Sequence, residues 1–186
     1  NQQYDNLYNA LASARWIADD ATRRVKELVS SPTSDERVAN GEFWGGMARM
    51  TLADHFEQVV YDGNAPITPV QAMTDAIAKF QAAAAVASAA GNKSLAAASH
   101  GAIARAYRAI YFDNKNENSQ DDMTTFKSAS DAAKAALAIS GSYVEYANYN
   151  PPGATNFVYA SVNASRYNRM DPKYAFMEDP VSGQID

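Results

Sequence analysis

Apolar residues recur at spacings of three and four along five successive segments of this chain, and short proline-, glycine- or polar-rich connections separate the segments. This spacing is the period of an α-helix that buries one face. No stretch alternates apolar and polar residues with the period of two that a half-buried strand requires. The sequence therefore predicts an all-α fold of about five helices packed as antiparallel hairpins.

Local signals place the first two helices. The first begins near Tyr4 and is closed by Pro32, which cannot continue a helix. The second begins near Ser34, where acidic residues favour a helix N-terminus, and runs to about Val60. The apolar stripe that predicts the buried face of the first helix is Leu7, Leu11, Ala14, Ala18, Ala21, Val25 and Leu28.

The start of the third helix carries the clearest signal in the chain. Thr68 is placed as the N-cap, Pro69 takes the first helical position, and Gln71 stands where a capping box requires Glu or Gln. This combination predicts a helix that begins at Pro69 and ends at the glycine of the "AGN" turn. Its predicted buried face is Val70, Met73, Ile77, Phe80 and Ala84.

The last two predicted helices flank the polar stretch 113–122. The fourth runs from about Ser94 to Phe112, and the short turn before it predicts antiparallel packing on the third. The fifth follows the polar stretch and ends at Gly141. Its predicted buried face is Phe126, Ala129, Ala133, Ala136 and Leu137.

Three glycines interrupt segments that otherwise favour a helix. Gly45 and Gly46 lie in "FWGGMARM" and Gly101 lies in "HGAIARAY". Each glycine in a helix interior costs about 1 kcal/mol relative to alanine, so another interaction must offset the cost. We predict that Gly45, Gly46 and Gly101 let a neighbouring helix approach closely.

Composition and charge exclude several classes of function. The net charge of −5 offers no basic surface for nucleic acid, and no apolar run approaches the length of a membrane span. The chain has no cysteine, which excludes thiol catalysis, disulfides and cysteine-based metal sites. It begins with Asn1 rather than Met, which predicts a processed product or a fragment with any signal or lipid-attachment cysteine upstream.

No residue pattern indicates catalysis, a metal or a cofactor. His55 follows Asp54, but neighbours along a helix point in different directions and no nucleophile accompanies them. His100 has no such partner either. In the stretch after Phe112, Ser119 and Thr125 stand where a calcium loop requires glycine and glutamate. We therefore predict a protein that is not an enzyme and that has no catalytic, metal or cofactor residues.

The character of the sequence changes after Gly141. We divide the chain into a helical-repeat domain, 1–141, and an irregular Tyr/Pro-rich extension, 142–186, whose aromatic content argues against simple disorder. Its rings can cover the apolar edge of the helices, contact a partner protein or stack on a small ligand. The candidate contact residues are Tyr143, Tyr146, Tyr149, Tyr159 and Tyr167.

Two levels of resemblance accompany these patterns. "HGAIARAYRAIYFDN" and "FKSASDAAKAALAIS" resemble a tetratricopeptide-type helix pair. The order of "YDNLYNALASARWIADDA", "GEFWGGMARMTLADHF" and "TPVQAMTDAIAKFQAAAAVA" resembles the SusD/RagB family of outer-membrane nutrient-binding lipoproteins, over roughly residues 4 to 140. No binding residue of that family transfers to a position of this chain.

The resemblance implies a non-enzymatic extracytoplasmic protein that binds a glycan or peptide nutrient together with a TonB-dependent transporter. It also implies a location in the cell envelope, at the outer membrane surface, outside the cell or in the periplasm. The alternative is a helical-repeat structural or accessory subunit of a larger envelope or extracellular assembly. In that case the extension 142–186 would contact neighbouring subunits.

Overall fold

The computed structural model describes residues 2–118 and 121–141, with side chains described for 5–114 and 121–141. Within these residues the fold is all-α, as the sequence predicts, and a single turn of 3₁₀ helix spans Pro32–Ser34. The extension 142–186 lies outside the described residues. The helices are α1 (Gln2–Leu28), α2 (Glu36–His55), α3 (Pro69–Ala89), α4 (Lys93–Asn118) and α5 (Met123–Ile139).

Each helix packs on the next one along the chain, so that α2 lies between α1 and α3, and α4 between α3 and α5. The turn between α3 and α4 holds Gly91 at a φ of 76°, in the left-handed region that glycine occupies without strain. The backbone N–H of Asn92 donates to the carbonyl of Ala87, which closes the end of α3. This short connection makes α3 and α4 antiparallel, as predicted.

The capping box at the start of α3 is confirmed. The N–H of Gln71 donates to Oγ1 of Thr68 at 3.2 Å, and the N–H of Thr68 donates to Oε1 of Gln71 at 2.8 Å. Two backbone donors at this helix start are therefore satisfied by side chains. At the start of α2 the capping residue is Asp35, whose carboxylate accepts from the N–H of Arg37 at 2.9 Å.

Two predicted helix ends differ from the structure. α2 ends at His55 rather than near Val60, because Val59 and Ile67 exchange both backbone hydrogen bonds in an antiparallel bridge. An extended Val59 cannot also belong to a helix. α4 continues past Phe112 to Asn118, into the stretch predicted as a loop.

The apolar core lies between α2, α3 and α4. Its largest fully buried apolar side chains come from α2, α3 and the bridge, and α4 adds Ile103 and Ile110. α1 supplies none of the buried apolar residues of this core, although Tyr8 and Leu11 pack against it from outside. The largest fully buried apolar side chains are Phe80, Met50, Leu52, Met73, Val38 and Val59.

The predicted roles of Gly45 and Gly46 agree with the structure. A Cβ at Gly46 would lie 2.7 Å from Cε1 of Phe80, so α3 occupies the space that a side chain would need. A Cβ at Gly45 would lie 3.7 Å from Cβ of Ala18 on α1. The two adjacent glycines therefore face the two helices that flank α2.

The prediction for Gly101 is wrong. Gly101 is exposed on α4, and a Cβ there would meet nothing within 4 Å. A close approach between α1 and α2 that was not predicted occurs at Gly41, where a Cβ would overlap the hydroxyl of Thr22 on α1. Helix propensity alone does not distinguish a glycine that faces a neighbour from one that faces solvent.

The predicted buried face of α3 is confirmed except at Val70, which is half-buried, and those of α1 and α5 are partly wrong. Arg15 and Thr22 are the buried residues of α1, whereas most of its predicted stripe is exposed. α5 buries Ala129, and its small residues allow close approach to α4 while larger side chains lie outside. The predicted residues that the structure leaves exposed are Leu7, Ala14, Ala21, Leu28, Phe126, Ala133 and Leu137.

Candidate functional site

An open groove of about 570 Å³ runs between α1 and the segment that follows α2. We call it the Trp16 groove. Five of its side chains lie at helical spacing on α1, a sixth, Arg15, comes from the buried side of that helix, and two come from the segment after α2. The lining residues are Asn9, Ala12, Ser13, Arg15, Trp16, Ile17, Val60 and Asp62.

The α1 wall combines a large aromatic ring with small polar groups. Trp16 is 53% exposed and Ile17 is 59% exposed, so the wall presents apolar surface to solvent. Asn9 and Ser13 lie on the same side of the helix, two turns and one turn before Trp16, respectively. A flat ring beside amide and hydroxyl groups can stack on one face of a ligand and bond to its polar edge.

The second wall is fixed by the tight turn after Val59. Asn64 donates its backbone N–H to the carbonyl of Tyr61 at 2.9 Å, and the Val59–Ile67 bridge closes the base of the turn. Asp62 has a φ of 53°, in the left-handed region where Asp is tolerated better than most residues. This backbone conformation directs the Asp62 carboxylate towards α1, where it meets Arg15.

Tyr8 ties α1 to this segment through its hydroxyl. The hydroxyl donates to the carbonyl of Val60 at 3.1 Å and accepts from the N–H of Val60 at 2.8 Å. Its ring packs edge-on against Phe56 with a centroid separation of 4.9 Å. Val60 is not paired in a strand, and the Tyr8 hydroxyl satisfies both its backbone N–H and its carbonyl.

Arg15 forms the floor of the groove and is 6% exposed. Its Nη1 donates to Oδ2 of Asp62 at 3.0 Å, and its Nη2 donates to Oδ1 of the same carboxylate. Nη1 also donates to Asp19 one turn further along α1, at 3.2 Å. The two-point contact holds the pKa of Asp62 below its ordinary value, chiefly through the hydrogen bond from Arg15.

Behind the groove floor, charged side chains join α1, α2 and α3. The carboxylate of Asp19 accepts from Arg49 at 2.6 Å and lies 3.0 Å from Nζ of Lys79. The carboxylate of Glu42 accepts from Lys79 at 2.8 Å and from Lys26 at 2.6 Å. We call these groups the α1 ion-pair layer, and its members are Arg15, Asp19, Lys26, Glu42, Arg49, Asp62 and Lys79.

The acidic members of this layer are held in their ionised form. Burial opposes ionisation of Asp19, but hydrogen bonds from Arg49 and Lys79 outweigh it and lower the pKa of Asp19. Burial likewise opposes ionisation of Glu42, and hydrogen bonds from Lys26 and Lys79 lower its pKa below the ordinary value. The folded structure therefore stabilises both carboxylates as anions.

Tyr61 lies between two guanidinium groups of the layer. Cζ of Arg15 is 5.0 Å from the centre of the Tyr61 ring, and Cζ of Arg49 is 5.4 Å from it. These distances are within the range of a cation–π contact. Burial raises the pKa of Tyr61 to about 12. Its hydroxyl has no hydrogen-bond partner among the described residues.

A second cleft, of about 460 Å³, opens beside the layer between α2 and α3. Its two basic side chains, Arg49 and Lys79, already bond to Asp19 or Glu42, and Arg49 also donates to the carbonyl of Gly45 at 3.0 Å. Cations engaged in this way have little capacity left for an anionic ligand. The cleft is lined by Glu42, Arg49, Asp75, Ala78 and Lys79.

The adjacent Asp54 and His55 at the end of α2 each contact another group. His55 is exposed, and its Nδ1 lies 2.9 Å from the carbonyl of Thr51. The neighbouring Asp54 accepts instead from Arg105 on α4 at 2.5 Å. Within residues 5–114 and 121–141, no group of three or more His, Cys, Asp or Glu side chains could hold a metal ion.

The contact residues predicted from the sequence are not the residues that line the groove. The predicted residues Tyr143, Tyr146, Tyr149, Tyr159 and Tyr167 all lie outside the described residues. The groove residues Asn9, Ser13, Trp16, Ile17 and Asp62 were not predicted. One signal for them was present, because Trp16 and Ile17 are large apolar residues that fall outside the predicted apolar stripe of α1.

None of the helices in the described part of the chain combines the length and the apolar character that crossing a membrane requires. Comparison of the chain with protein-family models, curated proteins and solved structures finds no match.

Proposed function

We propose that this chain is a non-enzymatic extracytoplasmic binding protein of the SusD kind, which takes a glycan nutrient and acts with a TonB-dependent transporter. The Trp16 groove is the proposed binding site. A location at the outer membrane surface, and a helical repeat of tetratricopeptide type, belong to the same proposal. The support comes from the groove's chemistry and from the family resemblance of the helix order.

The observation that carries the proposal is the exposed ring of Trp16 above polar groups in an open groove. A sugar ring has one apolar face that stacks on an aromatic ring and a rim of hydroxyls that need hydrogen bonds. Asn9 and Ser13 supply an amide and a hydroxyl, and Asp62 supplies a carboxylate that is 52% exposed. A groove that is open along its length accommodates a chain of several sugars.

The test is calorimetric titration of the full chain with a panel of neutral oligosaccharides and a parallel panel of short peptides. Trp16→Ala is the test variant, and Trp44→Ala is its matched control. Trp44 is 58% exposed on α2 and does not line the groove. We expect Trp16→Ala to weaken oligosaccharide binding by about tenfold or more, as loss of an aromatic anchor does, and Trp44→Ala to leave it unchanged.

Four results would contradict parts of the proposal. No heat with any oligosaccharide would remove the glycan assignment, and binding of peptides alone would replace it with a peptide-binding role. Equal affinity for the native chain and for Trp16→Ala would move the site away from the groove. Mass spectrometry of the titrated oligosaccharides tests the non-enzymatic part, since any cleaved or modified product would contradict it.

The transporter partnership is tested separately from the ligand. The full precursor sequence and its neighbouring genes should include a lipoprotein signal and a gene for a TonB-dependent transporter. Their absence would leave a binding protein without this partner. The tail tyrosines remain predicted contact residues for either a partner or a ligand.

A second candidate function is supported by the outward face of α5. Met123, Phe126 and Leu137 are exposed large apolar residues on this helix, and such a surface is typical of a protein contact. A structural or accessory subunit of an envelope assembly would use it. Native mass spectrometry should then detect an oligomer or complex that Leu137→Gln weakens and that Leu28→Gln, on the exposed end of α1, does not.

A further inference from the structure

The contact between α1 and the rest of the protein is unusually polar. The buried apolar residues of the main core belong to α2, α3, α4 and the segment after α2, and none of them comes from the described side chains of α1. Where α1 meets α2, α3 and the segment after α2, it presents Arg15, Asp19, Thr22 and Lys26. Hydrogen bonds and ion pairs, rather than apolar burial, therefore hold much of α1 in place.

We infer that α1 is a separately releasable helix, docked through the α1 ion-pair layer, and that its docking assembles the Trp16 groove. Six of the eight lining residues belong to α1, and only Val60 and Asp62 belong to the other wall. Release of α1 would therefore remove one side of the groove. The effect on ligand binding rests on the proposed function, whereas the docking of α1 does not.

Asp19 holds the central position in this docking. It lies on α1 and bonds to Arg49 of α2 and Lys79 of α3, so one carboxylate connects three helices. Without its negative charge, Arg15, Arg49 and Lys79 would remain close together with Asp62 and Glu42 as the nearest carboxylates. Repulsion among these cations then favours the undocked helix.

Acid should release α1 for the same reason. Protonation of Asp19 and Glu42 removes the anions that α1 and α2 contribute, and the cations around them stay charged. The pKa values of both carboxylates are lowered by folding, so docking is complete near neutral pH and is lost as pH falls below about 4. The titratable or charged groups that face the contact are Tyr8, Arg15, Asp19, Lys26, Glu42, Arg49, Tyr61, Asp62, Asp75 and Lys79.

Hydrogen exchange of the full chain tests the inference without any ligand. Asp19→Asn is the test variant. Asp20→Asn is the matched control, because the ion pairs of Asp20 with described residues are to Arg23 and Arg24 of the same helix. We expect Asp19→Asn to lower the protection of α1 amides by about tenfold or more while α3 amides stay within about threefold, since local opening costs less than global unfolding. Asp20→Asn should change neither helix.

A pH series on the native chain provides the second measurement and does not depend on the folding of a variant. With exchange corrected for its intrinsic pH dependence, α1 should lose protection at a higher pH than α3. Loss of protection in α1 and α3 together, in the variant and in acid alike, would overturn the separate release of α1. So would full α1 protection in Asp19→Asn.

A binding measurement on Asp19→Asn distinguishes this inference from the proposed function. If an oligosaccharide binds the native chain, its affinity for Asp19→Asn should fall in proportion to the fraction of molecules in which α1 remains docked, as measured by exchange. Unchanged affinity with an undocked α1 would overturn the link between docking and the groove. If no oligosaccharide binds, the proposed function fails while the exchange data still decide whether α1 is releasable.

Discussion

The ring of Phe80 lies directly on the backbone of Gly46, and a Cβ at Gly46 would come within 2.7 Å of its Cε1. Phe80 is fully buried on α3, so its ring has no free space into which to move. This contact explains a glycine in the interior of α2. The benefit of close packing between α2 and α3 offsets a cost of about 1 kcal/mol in helix propensity.

Two alanine substitutions should therefore have opposite effects. Gly46→Ala overpacks the core at Phe80, and we expect it to lower the free energy of unfolding by about 1–2 kcal/mol despite its better helix propensity. Gly101→Ala meets nothing within 4 Å and should raise the free energy of unfolding by about 0.5–1 kcal/mol. Urea denaturation measures both. Equal effects of the two substitutions would contradict the assigned packing.

Two tyrosines should likewise respond differently to loss of the hydroxyl. Tyr8→Phe leaves both backbone groups of Val60 without their partner, and we expect it to cost about 1–3 kcal/mol. The Tyr61 hydroxyl is buried without a partner among the described residues, so Tyr61→Phe should be neutral or stabilise by up to about 1 kcal/mol. Thermal unfolding followed by circular dichroism compares them. A costly Tyr61→Phe would indicate a hydrogen bond to that hydroxyl.

The start of α3 offers a test of the capping box. Thr68→Ala removes the side chain that accepts from the N–H of Gln71, and we expect a loss of about 1 kcal/mol. Thr74→Ala is the control, because Thr74 is exposed within the same helix and alanine has the higher helix propensity. It should be neutral or slightly stabilising. Denaturation midpoints in urea would rank the two variants.

Stability should depend on pH through the buried acids. Folding lowers the pKa values of Asp19 and Glu42, so their contribution is present above the ordinary carboxylate range and is lost as pH falls below about 4. Glu42→Gln should cost about 2–3 kcal/mol at pH 7, because it removes the charged partner of Lys26 and Lys79. The difference between this variant and the native chain should shrink towards pH 3.

Glu27→Gln is the control for that series. Glu27 pairs only with the exposed Arg23 on its own helix, and such surface pairs contribute about 0–1 kcal/mol. Urea midpoints between pH 7 and pH 3 should therefore follow those of the native chain. A Glu42→Gln variant with an unchanged pH profile would show that this carboxylate does not control acid stability.

Local sequence signals were sufficient for much of the fold. The capping box at Thr68 and the turn at Gly91 depend on residues within a few positions of each other, and both were predicted. The buried face of α3 was also predicted, because its apolar residues pack into a conventional core. Interactions of this kind are visible in a single stretch of sequence.

The candidate site was not predictable from the same signals. Arg15 is buried because Asp62 and Asp19 neutralise it, and Asp62 lies 47 positions away. Apolar periodicity predicts that a charged residue is exposed. The predicted buried face of α1 was therefore rotated about the helix axis from the observed one. The polar layer occupies the side of α1 that faces the protein. Trp16 therefore lies on another side of the helix, in the groove.

The sharing of one carboxylate by two helices also limits how this protein can diverge. Asp19 bonds to both Arg49 and Lys79, so a neutral residue at position 19 leaves Arg49 without the carboxylate it bonds to, whereas Lys79 keeps its bond to Glu42. Relatives should therefore substitute position 49 whenever position 19 loses its charge, while Lys79 can be retained through its bond to Glu42. Covariation would then be centred on α1, the helix with the smallest share of the apolar interior.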